Sequence, residues 1–368
     1  MSVPCRLGGV KRPSLRAEAI AWAHDGRLIY SAREPNRTDS NLWWFRPGAQ
    51  TPGSTPASRL TNAPGHVSGI SITGNGEQVA ILRDYLQADI FIADVGPGPA
   101  ALGASRVLTL DERDDFPYSW TPDSKAVLFV SNRDGKFHIY KQALDQTQAE
   151  LLVGGKHHLI LPRLSPDGSS VLYEDQDDHR LMRVALSGGG PPQLVLQADF
   201  PFNLQCARLP STLCVYGDGL HLFKFDPVKG TSENFPVAVE GPWNLSPDGK
   251  YFSSVVSQQP GVLRILSLTD GTKMEIRLPD SAGINGTDWA ADGKSLWLTS
   301  YTTEKTWKLV NVDRKGHVRL FLETPTRNGW SMGWMGWGLG WAIPSPDLRH
   351  LAYWETSCRS NAWLLENF

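Results

Sequence analysis

Charge of neither sign dominates this 368-residue chain, in which 36 Lys and Arg stand against 38 Asp and Glu for a formal net charge of -2. Without a basic footprint, nucleic acid is not the expected partner. No run of 18 apolar residues occurs, so no helix is written to cross a membrane, and Met1 to Arg16 lacks the apolar stretch of a signal peptide. Helical periodicity is not sustained anywhere. Cysteine is scarce, with 4 in the chain and none in the close Cys-x-x-Cys spacing of a zinc site. Nucleophile-elbow, zinc-protease and phosphate-loop patterns are absent as well, which removes the usual grounds for hydrolase or nucleotide chemistry. No cofactor and no metal are expected.

What the chain has in quantity is turns, with 35 Gly and 26 Pro. Eight times, at intervals of about 40 to 55 residues, a β-rich stretch runs into a Ser-Pro-Asp-Gly-like reversal. The reversals begin at Ala23, Thr73, Thr121, Ser165, Leu209, Ser246, Ala290 and Ser345, and the fifth, Leu-Pro-Ser-Thr, is degenerate. Pro presets the first turn dihedral, Asp bonds its own backbone and Gly accepts a positive φ, so each motif is a tight link between two strands. A third apolar strand and a short fourth follow each hairpin, as at Asp89 to Asp94 and Ser105 to Thr109.

Four strands in a repeat of this length predict a β-propeller blade, which buries both faces only by stacking on its neighbours. The expectation is an all-β, eight-bladed propeller in one domain over 1–368. Its four-stranded antiparallel blades fall at about 14–61, 62–109, 110–153, 154–196, 197–237, 238–278, 279–324 and 325–368. The last repeat supplies strands at Leu351 to Trp354 and Ala362 to Asn367 and then stops, so residues 3–8 are expected to complete it and close the ring. Seven blades is the alternative, with the fifth repeat as an insertion.

The repeated Leu-Thr, aromatic, Ser-Pro-Asp-Gly-Lys, strand, loop, strand pattern resembles the TolB-like, WD-repeat-related propeller family. Phe223 to Gly230, Trp243 to Gly249, Ile265 to Gly271 and Asn361 to Phe368 resemble the C-terminal propellers of acidobacterial sensor proteins. There such a propeller commonly follows a serine/threonine kinase or winged-helix domain. The resemblance implies a bacterial sensor or interaction module and transfers no catalytic residue. No kinase or DNA-binding domain is present, so the chain reads as a stand-alone copy, monomeric, or as a piece of a larger protein.

In a propeller, function lives on the loops and at the channel mouth. The conspicuous rim segment is Thr326 to Trp341, where Trp330, Trp334, Trp337 and Trp341 are separated mainly by Gly and Met. Such rings either stack on a ligand or fill the seam between the first and last blades. Trp243 borders another rim loop. Asp115, His157 and Asp199 come from successive repeats and would form an acid/base or metal site if they converged. Glu112 and its acidic neighbours Asp111, Asp114 and Asp115 have no calcium-loop spacing and read as a solvated rim. Cys206 and Cys214 flank the fifth turn symmetrically, either as a cross-strand disulfide, which would favour an extracytoplasmic home, or as two packed thiols. The expected function is non-catalytic binding of a protein, peptide or small molecule on the rim. The alternative is a lyase or hydrolase acting in the central channel.

Overall fold

A computed structural model describes residues 19–33, 39–47, 57–96, 102–111, 113–197, 203–217, 221–238, 241–304, 306–325 and 339–366. Among these, the regular secondary structure is strand throughout. All eight turns connect antiparallel partners. The turn chemistry is as the residues require. In the fourth repeat Ser165 N donates to Ser170 O at 2.9 Å and Gly168 N to Ser165 O at 2.8 Å, with Gly168 at φ 70°. Ser124 and Leu348 occupy the equivalent left-handed position without being glycine, at φ 62° and 63°. The degenerate fifth turn is registered differently: Ala207 N bonds Leu213 O, which makes that loop one residue longer.

The eight repeats are apportioned between two compact units, one of residues 1–86 with 357–368 and one of residues 87–356. The larger unit is a ring of six blades. Its innermost strands are Asp115–Trp120, Leu159–Leu164, Asn203–Cys206, Trp243–Leu245, Gly283–Trp289 and Leu339–Pro344, each packed against the next and the last against the first. Five of these blades are consecutive four-stranded meanders. The sixth joins the two ends of the unit: Leu339–Pro344 pairs with His350–Glu366, which pairs with Gln78–Asp94, which pairs with Arg106–Val107. Phe91 stacks on Tyr353 at 5.6 Å, and Val95 N donates to Arg349 O at 2.7 Å. The ring is thus closed by hydrogen bonds between segments distant in sequence.

Two expectations are corrected by that closure. Leu351 to Trp354 and the described part of the expected third strand, residues 362–366, are not separate strands; both fall on the 17-residue strand His350–Glu366. Likewise Asp89 to Asp94, expected as a separate third strand, is the second half of the 17-residue strand Gln78–Asp94. Neither stretch contains a Gly or Pro, so nothing in either punctuates the extended backbone. Residues 3–8, expected to close the last blade, lie outside the described residues.

The smaller unit holds the four-stranded sheet of Ile20–Trp22, Leu28–Arg33, Ser40–Phe45 and Ser58–Arg59, and the strand His66–Ile72 paired to the first half of Gln78–Asp94. Ala23, Ile29, Leu42, Val67, Val79 and Ile81 form its core. In the larger unit the apolar faces of neighbouring blades interlock. Leu263, Ile265 and Ile276 of one blade pack against Trp289, Leu296, Val310 and Val312 of the next. Burying two faces of every sheet is what makes a ring stable where a lone blade is not.

Candidate functional site

The strand pattern of the ring brings one position of each blade to the central channel. Two residues before the residue whose N–H closes each turn of this unit stand Ser119, Arg163, Gln205, Asn244, Asp288 and Ile343, and all six line one cavity of about 300 Å³. Five of the six are polar or charged. This is an unusual content for inner strands whose other residues, such as Trp120, Leu204, Leu245 and Trp289, are buried in apolar packing.

Charge in the cavity centres on Arg163. Its Nη1 donates to Tyr118 O, its guanidinium carbon lies 5.5 Å from the centre of the Tyr118 ring, and Nη1 is 3.8 Å from Asp288 Oδ2. Burial pushes the Asp288 carboxyl up to about 6, against the pull of Arg163 and Arg208. Burial likewise lowers both arginines from their ordinary value. Arg208 is open to the water of the channel mouth yet enclosed by protein on most sides, which is how an exposed side chain comes to be partly desolvated. The Tyr118 phenol is raised to about 12 and stays protonated. Ser119 Oγ donates to Pro162 O at 3.1 Å, and Asn244 Nδ2 to Thr287 O at 2.9 Å. Both groups are thereby oriented.

The residues expected from the sequence are distributed otherwise. Asp115 opens the inner strand of its blade and is fully buried; Arg133 Nη2 reaches its Oδ1 at 3.2 Å and Asp111 Oδ2 at 2.6 Å. Burial first, and the Asp111 charge second, raise the Asp115 carboxyl to about 7. His157 belongs to a second network, with Nδ1 3.0 Å from both oxygens of Asp175. Burial works to raise Asp175, but hydrogen bonds from His157 and Arg180 outweigh it and leave the carboxyl below its ordinary value. His157, Asp175 and Asp178 offer ligand atoms within 4.8 Å of one another, a spacing that fits a cation. However, Arg180 Nη2 already bonds both carboxylates and supplies the positive charge. Asp115 and His157 therefore sit in two networks that share no member, and Asp199 lies outside the described residues.

Of the aromatic candidates, Trp330, Trp334 and Trp337 also lie outside the described residues. Trp341 sits on the inner strand of the sixth blade, where its Nε1 donates to Pro117 O at 2.5 Å and its ring meets Phe116, Tyr118 and Trp354 at 6.0, 5.3 and 5.5 Å. That is the seam between neighbouring blades. Trp243 is 6% exposed and stacks on Phe252 at 5.2 Å inside its blade. Cys206 and Cys214 are directly opposed in register and form a disulfide, with Cα atoms 4.0 Å apart.

Arg163, Arg208 and Asp288 were not among the sequence candidates. The signal that could have found Arg163 and Asp288 is their shared offset from the turn; Arg208 falls off that register because its turn is the irregular one. A larger open groove of about 780 Å³ runs beside Arg183, Lys224 and Glu233. Within it Lys224 meets Glu233 at 2.9 Å and Arg183 Nε donates to Gln193 Oε1 at 2.8 Å.

The chain matches no family model. It is 26% identical over 125 residues to the uncharacterized protein Atu1656 of Agrobacterium fabrum, a match that covers 34% of this chain and 41% of that protein. The chain thus spans about two fifths of the length of that relative. Among solved structures, the putative TolB from Agrobacterium tumefaciens superposes with a TM-score of 0.57 at 17% identity, over 74% of this chain and 99% of the other. An oligogalacturonate lyase in complex with manganese gives a TM-score of 0.46 at 15% identity, over 70% of this chain and 76% of that one. At these identities the likeness concerns the fold alone, and that fold is the TolB-like β-propeller.

Proposed function

We propose that the protein is a non-catalytic ligand-binding propeller whose binding pocket is the polar end of the channel in the larger unit. The observation that carries this reading is the make-up of the pocket. Arg163, Arg208, Asp288, Gln205, Asn244 and Ser119 converge from different blades, with Asp167 and Ser165 beside them in the lining. The one hydroxyl among the inner-strand positions, that of Ser119, is committed as a donor to a backbone carbonyl. The loop rim supports the same reading through rigidity, since the ion pairs around Arg133 and Arg180 tie neighbouring loops and strand ends together. A surface held in this way binds without a large ordering cost.

The opposing reading is an enzyme using Asp288, whose pKa of about 6 would suit an acid/base group. Screening small molecules and peptides by thermal shift, then analysing the bound compound by mass spectrometry, separates the two. A stabilising compound should be recovered chemically unchanged, and binding should persist in Asp288→Asn. Recovery as a product, with conversion lost in Asp288→Asn, would replace the binding reading with the enzymatic one.

A further inference from the structure

The channel pocket is lined by two arginines and two aspartates, but Asp167 is held within its own turn by hydrogen bonds from Ser165 and Ser169. Asp288 is the single acid among the inner-strand positions that line it, and it faces both Arg163 and Arg208. The Arg163 to Asp288 contact, at 3.8 Å, exceeds hydrogen-bonding distance, so the carboxylate does not saturate the guanidinium fork. Buried Nε of Arg163 has no hydrogen-bond partner. Among the described residues, no carboxylate lies within 4.0 Å of Arg208. Keeping two partly desolvated guanidinium groups beside one carboxylate is unfavourable unless something supplies the missing negative charge. Apolar residues, Trp289, Leu245 and Pro344 among them, also line the pocket. Its volume of about 300 Å³ stands at the lower end of small-molecule sites.

We propose that this pocket takes a small organic carboxylate, its anionic end held by Arg163 and Arg208 and its carbon body against Trp289 and Leu245. Arg is the residue suited to the task, because its planar fork matches the two oxygens of a carboxylate. Gln205 and Asn244 are placed to recognise a second polar group on the same ligand. This inference rests on reading the pocket as a binding site. It goes further by naming the charge and the organic nature of what is bound.

The test is calorimetric titration of the full chain at neutral pH with acetate, succinate, glutarate and benzoate, with neutral succinamide and inorganic phosphate as controls. At least one of the four acids should bind, and succinamide should bind at least tenfold more weakly than succinate if succinate is the one. Arg208→Gln, at the open channel mouth, should weaken the acid tenfold or more without moving the unfolding transition. Arg163→Gln should weaken the acid as well, with partial recovery in Arg163→Lys. Binding of none of the four acids, or an affinity unchanged in Arg208→Gln, overturns the proposal. Phosphate binding as tightly as the best acid would leave the oxyanion but overturn the organic body. Failure of the underlying binding reading would appear elsewhere, as chemical conversion of the bound compound.

Discussion

Replacing Trp341 with Ala distinguishes a ring that is part of a ligand platform from one that holds the propeller together. The partly buried indole packs on Phe116, Tyr118 and Trp354 and touches the apolar clusters on both sides of the seam between two neighbouring blades. A Trp presents roughly 150 to 250 Å², and at about 25 cal/mol per Å² full burial would be worth about 4 to 6 kcal/mol. Partial exposure reduces that share, while the lost hydrogen bond from Nε1 to Pro117 O adds about 1 kcal/mol. The expected cost of Trp341→Ala is therefore about 3 kcal/mol, within the range for large-to-small changes at packed aromatic sites. Denaturant unfolding followed by tryptophan fluorescence measures it, with Trp341→Phe as a control that keeps most of the area. Hydrogen exchange should rise first in Asp115–Trp120 and Leu339–Pro344, the two inner strands at the seam. A loss below about 1 kcal/mol, with exchange unchanged in those strands, would refute the packing argument and return Trp341 to the candidates for ligand contact.

The Cys206 to Cys214 disulfide closes a loop of about nine residues, for which the chain-entropy relation gives roughly 2 to 3 kcal/mol; unfolding midpoints with and without reductant should differ by that amount, and equal midpoints would refute it. The Trp354 ring occupies the place where a Cβ on Gly340 would stand, so Gly340→Ala should destabilise the larger unit by more than about 2 kcal/mol, read as a fall in its melting temperature. The buried carboxyls of Asp115 and Glu174 are both raised to about 7, chiefly by burial, and the native state therefore prefers them protonated. Their contribution is complete below their unfolded values near 4 and is lost as pH rises from there through about 7, a change of a few kcal/mol; Asp115→Asn with Glu174→Gln should flatten stability between about pH 4 and 7, and an unaltered slope would contradict it. Asp288 is raised to about 6 between Arg163 and Arg208, which stay charged, so lowering pH through 6 removes the one acid facing them and should strengthen binding of any anion that stays ionised; Asp288→Asn should abolish that pH dependence.

How much of this was legible depended on whether the governing physics was local. Each turn is decided by four residues, so the eight reversals could be read directly, and even the irregular fifth announced itself by its missing Asp and Gly. The cysteine pair was legible for the same reason, because eight residues separate its members and a hairpin centred near Pro210 places them opposite one another. Gln78–Asp94 and His350–Glu366 were divided wrongly because the repeat template demanded a loop where the residues offered no Gly or Pro to make one. The template was a weaker guide there than local backbone chemistry.

The channel pocket belongs to a different level of organisation. Arg163 and Asp288 meet only because their strands take places on opposite parts of one ring, and neither residue carries a local motif. Yet their common offset from the turn was present in the sequence, and reading that offset across the regular repeats would have given Ser119, Arg163, Asn244, Asp288 and Ile343 as one set, with Gln205 added only once the irregular fifth turn is placed. In a ring of related blades a single register position becomes a circle of side chains, so chemistry absent from every individual repeat can be assembled from the differences between them. Asp115 and His157 illustrate the converse. Their residue types suggested a shared site, but each found its partners within its own blade or the adjoining loop, because Arg133 and Arg180 were nearer than any neighbour across the ring. For this fold, comparing the same position across blades is the more direct route from sequence to site than searching for clusters of reactive residue types along the chain.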